Sequence, residues 1–291
     1  MPRDTGLPRA DAEFDFSRAR RSRAARRADD VNHILPFEEV AQALGRVGER
    51  RLGEQLISLD SIVGTVDRAR EFDRAFRPTS ARVRERWQRI NLAQRRGESM
   101  PPIDVYRIGE LHFVKDGHHR VSVARALGHT DINAYVTEVL TQVGADRKIR
   151  LRDLPFKSHQ RLFFERVPLS PEAHRRIDLR DEWTYAALAE AVEAWAFRAM
   201  QARQEEMSRH DAAEAWFREE YVPVVEMLHE AGLIPKGVTE TEAYMKVAHL
   251  RYLILRTHEW DDAVIDAIRR DLESPSQDDD TMVRKLRREL K

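Results

Sequence analysis

Near residue 145 the spacing of apolar residues changes, and that change rules out a fold built from one kind of element. Beyond it, "EWTYAALAEAVEAWAFRAMQARQEEM" (182–207), "AAEAWFREEYVPVVEMLHEAGL" (212–233), "ETEAYMKVAHLRYLILRTH" (240–258) and "DDAVIDAIRRDL" (261–272) repeat their apolar residues at helical period. Pro, Gly, Thr or Asp separates them. Before it, short apolar runs alternate with turn residues. The expected class is therefore α+β: a small mixed α/β domain followed by an all-α helical domain. In the second part Trp195, Trp216, Tyr221 and Tyr252 read as core or subunit-interface residues.

The first part divides into candidate elements. "ILPFEEVAQALGRVG" (34–48) reads as a short helix, with Pro36 near its start and Val40, Leu44 and Val47 on one stripe. "GEQLISLDSIVGTV" (53–66) reads as a strand ending in a turn at Gly64. From Arg68 to Arg96 ten arginines stand against three acids around Phe72, Phe76, Val83, Trp87 and Ile90. That spacing predicts helices with a buried stripe and a cationic outer face, which either is solvated or meets phosphates. "PPIDVYRIGELHFVKDG" (101–117) predicts two strands around the turn Ile108-Gly109-Glu110, and "DINAYVTEVL" (131–140) another. Four regions follow: a basic, flexible arm (1–30), the mixed domain (31–145), the helical domain (146–273) and a charged tail (274–291).

The charge of the whole chain is balanced, with 50 basic and 50 acidic residues among 291, which argues against a surface given over entirely to nucleic acid. The arginine run 18–27 still leaves DNA open as a partner of a local stretch. With no cysteine, disulfide frameworks, thiolate metal sites and thiol nucleophiles are excluded. No apolar run approaches about 18 residues, and the first residues lack an apolar leader, so a cytoplasmic protein without membrane contact is expected.

The chemistry concentrates in "HFVKDGHHRVSVARALG" (112–128), read as a strand to Lys115, a tight turn at Asp116-Gly117 and a helix from His118 to Leu127 stopped by Gly128. The free amides of a helix start favour an anion, and Arg120 adds a planar fork of donors for phosphate or carboxylate. Arg120 otherwise forms a salt bridge with a neighbouring acid. Asp116 reads as a general base, a Mg²⁺ ligand or merely the first residue of an Asx-type turn. His118 and His119 point in different directions, which suits phosphate hydrogen bonding better than zinc, or a structural role. If Gly64 ends its strand beside this turn, Asp67, Arg68 and Arg74 join the cleft; the alternative is ion pairing along a helix.

"LISLDSIVG", "PPIDVYRI", "DGHHRVSVARALG" and "DINAYV" together resemble the N-terminal domain of ParB-like proteins, a fold shared with sulfiredoxin and free-serine kinases. The resemblance covers about a third of the chain. Gly117 and Arg120 match the positions that bind nucleotide phosphates in partition-type members. Sulfiredoxin chemistry is excluded, because His118 stands where that family needs cysteine. Asp116 matches the aspartate that free-serine kinases use at the acceptor hydroxyl, while Glu54 and Glu71 are candidates for a further glutamate by position only. The implied site set is Asp116 as catalytic and metal-binding residue, with Gly117, His118, His119, Arg120, Ser122, Arg68 and Arg74 around the nucleotide.

The resemblance implies a nucleoside tri- or diphosphate (CTP, ATP or ADP), with Mg²⁺ as companion. The chain would then be a nucleotide-dependent switch or a phosphotransfer enzyme of NTPase or small-molecule kinase type, alone or as a homodimer. The alternative is a DNA-associated or chromosome-partition-like regulator using the basic stretches. A third reading is an interaction scaffold. "TYAALAEAVEAWAFRAM" lacks the glycine-containing turn of a helix-turn-helix, so sequence-specific DNA binding by the second half is not expected.

Overall fold

The computed structural model describes residues 7–24 and 33–255. The chain divides into two compact units between Arg161 and Leu162. The first holds a six-stranded mixed sheet, and the second is helical. The expected helix at 261–272, the charged tail and the arm outside 7–24 lie outside the described residues.

In the sheet unit the chain runs through helix α1 (Leu7–Ala24), strand β1 (Leu35–Pro36), helix α2 (Phe37–Leu44) and strands β2 (Arg46–Ser58) and β3 (Ile62–Thr65). Helix α3 (Arg84–Arg95), strands β4 (Ile103–Ile108) and β5 (Leu111–Asp116), helix α4 (His118–Ala126) and strand β6 (Asp131–Thr141) follow. The sheet order is β1-β3-β5-β4-β6-β2. β3 and β5 pair in parallel, as do β4 and β6, so α3 and α4 belong to crossovers between parallel neighbours. Ile103, Val105, Val114, Ala134 and Val136 pack one face of the sheet against Phe72, Phe76, Val121 and Ala124. On the other, Phe37 stacks on Tyr106 with ring centroids 4.5 Å apart. Helix α5 (Leu154–Arg166) carries the division between the units.

Several expected elements change. The segment 53–66 is two strands, not one, separated by a 3-10 turn at Leu59–Ser61. Gly64 lies inside β3, paired with Leu35 and Phe113, and does not turn the chain. A Cβ there would collide with the Phe113 ring and the Leu35 carbonyl, so close approach is what requires glycine. β2 begins at Arg46, earlier than expected, and takes Val47 out of the helix. The helices expected from Arg68 reduce to a 3-10 turn at Ala81–Val83 followed by α3, while 66–80 is irregular. Buried Asp73 organises that loop: its carboxylate accepts from the amides of Ala75 and Arg77 and from Arg77 Nε. Phe76 sits at φ 55°, a left-handed conformation that ends any helix there and costs a bulky residue about 1–2 kcal/mol.

Residues 7–24, the described part of the expected basic arm, form α1. Phe16 is buried edge-on against Trp87 at 5.5 Å, and Asp15 pairs with Arg95 at 2.5 Å. In the helical unit, helices α6 (Pro171–Arg176), α7 (Glu182–Arg203), α8 (Arg209–Trp216), α9 (Val222–Glu230) and α10 (Glu240–Leu255) follow. Phe217–Tyr221 continues α8 into α9 as a π-helical turn. No helix among the described residues is long and apolar enough to cross a membrane.

Candidate functional site

Gly117 shapes the junction of β5 and α4. Gly117 has φ 99°, and a Cβ there would strike the Ile103 side chain. Glycine is therefore required both by the backbone and by the sheet beneath it. The helix then begins at once, with no side chain capping its first amides. These donors open into a cleft lined by Arg68, Arg86, Asp116, Gly117, His118, His119 and Arg120. It encloses about 20 Å³, room for little more than one water.

Six of the eight residues named from the sequence meet there, and the cationic side chains explain how. Arg68 follows β3, where its amide donates to Thr65 Oγ1 at 3.1 Å, and its guanidinium pairs with Glu71 at 3.0 Å. Arg120 is only 13% exposed and fully engaged: it donates to the carbonyls of Pro101 and Pro102, at 2.5 and 2.7 Å, and to Asp116 at 2.6 Å. Asp116 is 62% exposed. The salt-bridge alternative for Arg120 is thus the arrangement present, and the contact of the Asp116 carboxylate is ionic. No group of three or more His, Cys, Asp or Glu able to hold a metal ion occurs among the described residues.

Both histidines are buried, and they are held differently. His118 Nε2 lies 2.6 Å from Thr65 Oγ1, with Phe72 and Phe76 stacked on the ring at 6.2 Å. His119 meets Phe72 edge-on at 5.4 Å, and its Nδ1 is buried without a hydrogen-bond partner. Burial first, then the charge of Arg68 for His118 and of Arg86 for His119, lowers both to about 4. At neutral pH each ring is uncharged, so His119 can donate or accept through a nitrogen that the protein leaves unused.

Two residues of the expected set lie elsewhere. Arg74 donates to the carbonyls of Ile149 and Arg147, at 2.6 and 2.8 Å, and does not line the cleft. Ser122 accepts from Trp87 Nε1 at 2.8 Å and faces a second cleft. Asp67 is absent from the lining as well, and Glu54 sits on the edge strand β2 opposite Tyr135. Sequence reasoning missed Arg86. Its exposed position in an arginine-rich helix carries no signal of its own, and only the packing of α3 beside α4 brings it to the cleft.

The donor set suits a phosphate group. Helix amides, guanidinium groups and a neutral imidazole all donate to anionic oxygen. Magnesium would have one carboxylate, Asp116, and would depend on phosphate oxygens for further ligands.

No protein-family model matches the chain, and no curated protein matches it. Among solved structures, a chain described as "Structure of the pNOB8-like ParB N-domain" is similar over 77% of this chain and 75% of its own, at 11% identity and a TM-score of 0.22. A likeness that distant places no individual residue.

Proposed function

We propose that the start of α4 binds the phosphates of a nucleoside di- or triphosphate, and that the chain acts as a ParB-like nucleotide-dependent switch or phosphotransfer enzyme. The observation that carries this reading is that Arg68, Arg86 and Arg120 line one small cleft at an uncapped helix start, together with His119, whose Nδ1 is buried without a partner. Three cations around one helix start form a strong anion site when they share a small volume. The wording of "DGHHRVSVARALG" supports the same ligand class.

The cleft is closed, and its closure supports a switch. Arg120 is bound to Asp116 and two carbonyls, so an entering phosphate must displace the carboxylate and draw the fork outward. Ligand would then select an opened turn over the closed one. In the enzyme version, freed Asp116 faces the transferred group, accepting a proton from an acceptor hydroxyl or holding Mg²⁺.

The test is equilibrium binding of CTP, ATP, ADP and GTP, each with and without Mg²⁺. At least one should bind saturably, and Arg120→Ala should weaken it by about ten- to a hundredfold, the value of charge-assisted hydrogen bonds. Unchanged affinity in folded Arg120→Ala removes this residue from the site. Asp116→Asn separates the two versions: a pure switch should bind nucleotide more tightly once the competing carboxylate is neutral. An enzyme should also lose turnover by about 10²-fold or more.

A second reading has its own support. Arg82 in the 3-10 turn before α3 and Arg86 and Arg89 of α3 are exposed, and Arg96 follows at the end of that helix. None of these four has a carboxylate partner within salt-bridge distance among the described residues. Such a stripe suits a DNA backbone, whose affinity would fall steeply with salt as counterions are released. Replacing Arg82 and Arg89 together by glutamine should flatten that slope. Absence of DNA binding at low salt, with and without nucleotide, would eliminate this reading.

A further inference from the structure

A second cleft beside α4 is larger than the one at its start. Further along the helix, Ser122, Arg125 and Ala126 face Asp15, Arg18 and Ala19 of α1 across about 330 Å³. Asp60 and the loop residues Ala75 and Arg77 close the remaining sides. That volume is at the lower end of small-molecule sites.

The polar groups of this cleft are built in. Arg125 is anchored from behind: it donates to the carbonyls of Arg74 at 3.3 Å, Ile62 at 2.9 Å and Leu59, and lies over the Phe76 ring at 5.4 Å. Those partners are neutral, so its charge is not cancelled by a direct ion pair. Arg77 is paired with buried Asp73 at 2.8 Å, and Asp15 with Arg95 at 2.5 Å. Once these pairs are set aside, Arg18 and Arg125 face Asp60, and the cleft retains one positive charge. Ser122 Oγ already accepts from Trp87 Nε1, which leaves its own hydrogen to donate to a ligand oxygen. Ala19, Ala75 and Ala126 contribute only methyl groups, a short apolar wall without rotamers to order.

We infer that this cleft is a second ligand site, separate from the start of α4, for a small monoanion with a flat apolar body: an aromatic carboxylate. The single residual charge matches a carboxylate better than a doubly charged phosphate. Arg18 and the Ser122 hydroxyl would hold the carboxylate, with Arg125 supplying charge from beneath. The alanine methyls would cover the ring. Because α1 provides one wall, a bound ligand would also fasten α1 to the sheet unit.

The probe is 2-naphthoate, titrated into the full chain, with 2-naphthylmethanol as its uncharged counterpart. Saturable binding of the acid, at least about tenfold tighter than the alcohol, is expected from a charge-assisted contact. Ala126→Leu, at an exposed helical position, fills the cleft without disturbing the core and should weaken the acid by about tenfold or more. Arg18→Gln should weaken the acid and leave the alcohol unchanged. Arg120→Ala should affect neither, which keeps failure here distinct from failure of the nucleotide site. Amide exchange across Asp11–Ala19 should slow on binding. Equal affinities for acid and alcohol, an acid affinity that ignores Ala126→Leu, or no saturable binding at all would overturn the proposal.

Discussion

The sheet unit and the aromatic cluster of the helical unit hold their buried polar groups differently. In that cluster they are paired locally: Trp216 Nε1 donates to Tyr244 Oη at 3.2 Å, while Tyr221 Oη lies 2.9 Å from Thr241 Oγ1 and donates to the Arg176 carbonyl at 3.2 Å. The rings of Trp216, Tyr221 and Tyr244 pack at 5.3–5.8 Å. Burial, against the opposing effect of the bond to Thr241, raises the Tyr221 hydroxyl to about 12, so it stays protonated as a structural donor. In the sheet unit His112 Nε2, His119 Nδ1 and Arg125 Nε are buried without partners. Unspent hydrogen-bonding capacity is costly and therefore informative. Two of these atoms, His119 Nδ1 and Arg125 Nε, belong to α4, beside the candidate sites.

The harshest way to break this contrast is Trp216→Ala. Removing a fully buried indole should cost about 3–5 kcal/mol. If the aromatic knot is purely structural, amide exchange should rise across α8 to α10 while nucleotide affinity in the folded protein stays unchanged. A direct loss of affinity would give the helical unit a role in binding.

Acid should separate the units next. His112, His118 and His119 sit near 4 in the folded protein, chiefly through burial, and near 6.5 in an unfolded chain. Between those values the unfolded chain binds more protons, so the stability present above pH 6.5 is lost as pH falls toward 4. The loss should be about 1–3 kcal/mol per histidine. In the helical unit Glu240 is held below the usual carboxylate range, by the bond to His229 before burial opposes it. Its contribution is lost only at more acid pH, and among the described residues of this unit His174 is the one histidine that burial lowers. Urea unfolding at pH 7 and pH 5, read by amide exchange in each unit, should show the sheet unit weakening first. Simultaneous weakening would remove the contrast.

A milder change sharpens it. Tyr221→Phe leaves Thr241 and the Arg176 carbonyl short of one partner and should cost about 1 kcal/mol without altering ligand binding. Smallest of all, Arg166→Ala breaks an exposed pair with Glu193 and should cost under about 1 kcal/mol in thermal unfolding.

The sequence disclosed local structure well and packing poorly. Asp116-Gly117 before a helical run announced the β5–α4 junction, because a left-handed glycine and uncapped amides are consequences of those very residues. The edge strand β2 was legible only from Gly53 onward, since Arg46–Arg51 is mostly exposed and shows no apolar alternation. Phe72 and Phe76, four apart, imitate a helix. The buried Asp73 carboxylate and the left-handed Phe76 make that spacing a loop. At the site, Arg68 was reachable through the expected neighbourhood of β3 and the turn. Arg74 was not, because distant carbonyls claim it. Arg86 depends on how α3 packs beside α4, and no local pattern encodes that.

Arg86 therefore offers the most direct test of the central claim, that the start of α4 is a phosphate site built from three arginines. It is exposed, needed by no described ion pair, and expendable for folding. Calorimetric titration of CTP and ATP, with Mg²⁺, into the wild type and Arg86→Ala is the measurement. The account predicts saturable binding of at least one nucleotide, weakened by about ten- to a hundredfold in the variant at unchanged thermal stability. Equal affinities in the two proteins, or no saturable binding by the wild type, would contradict it.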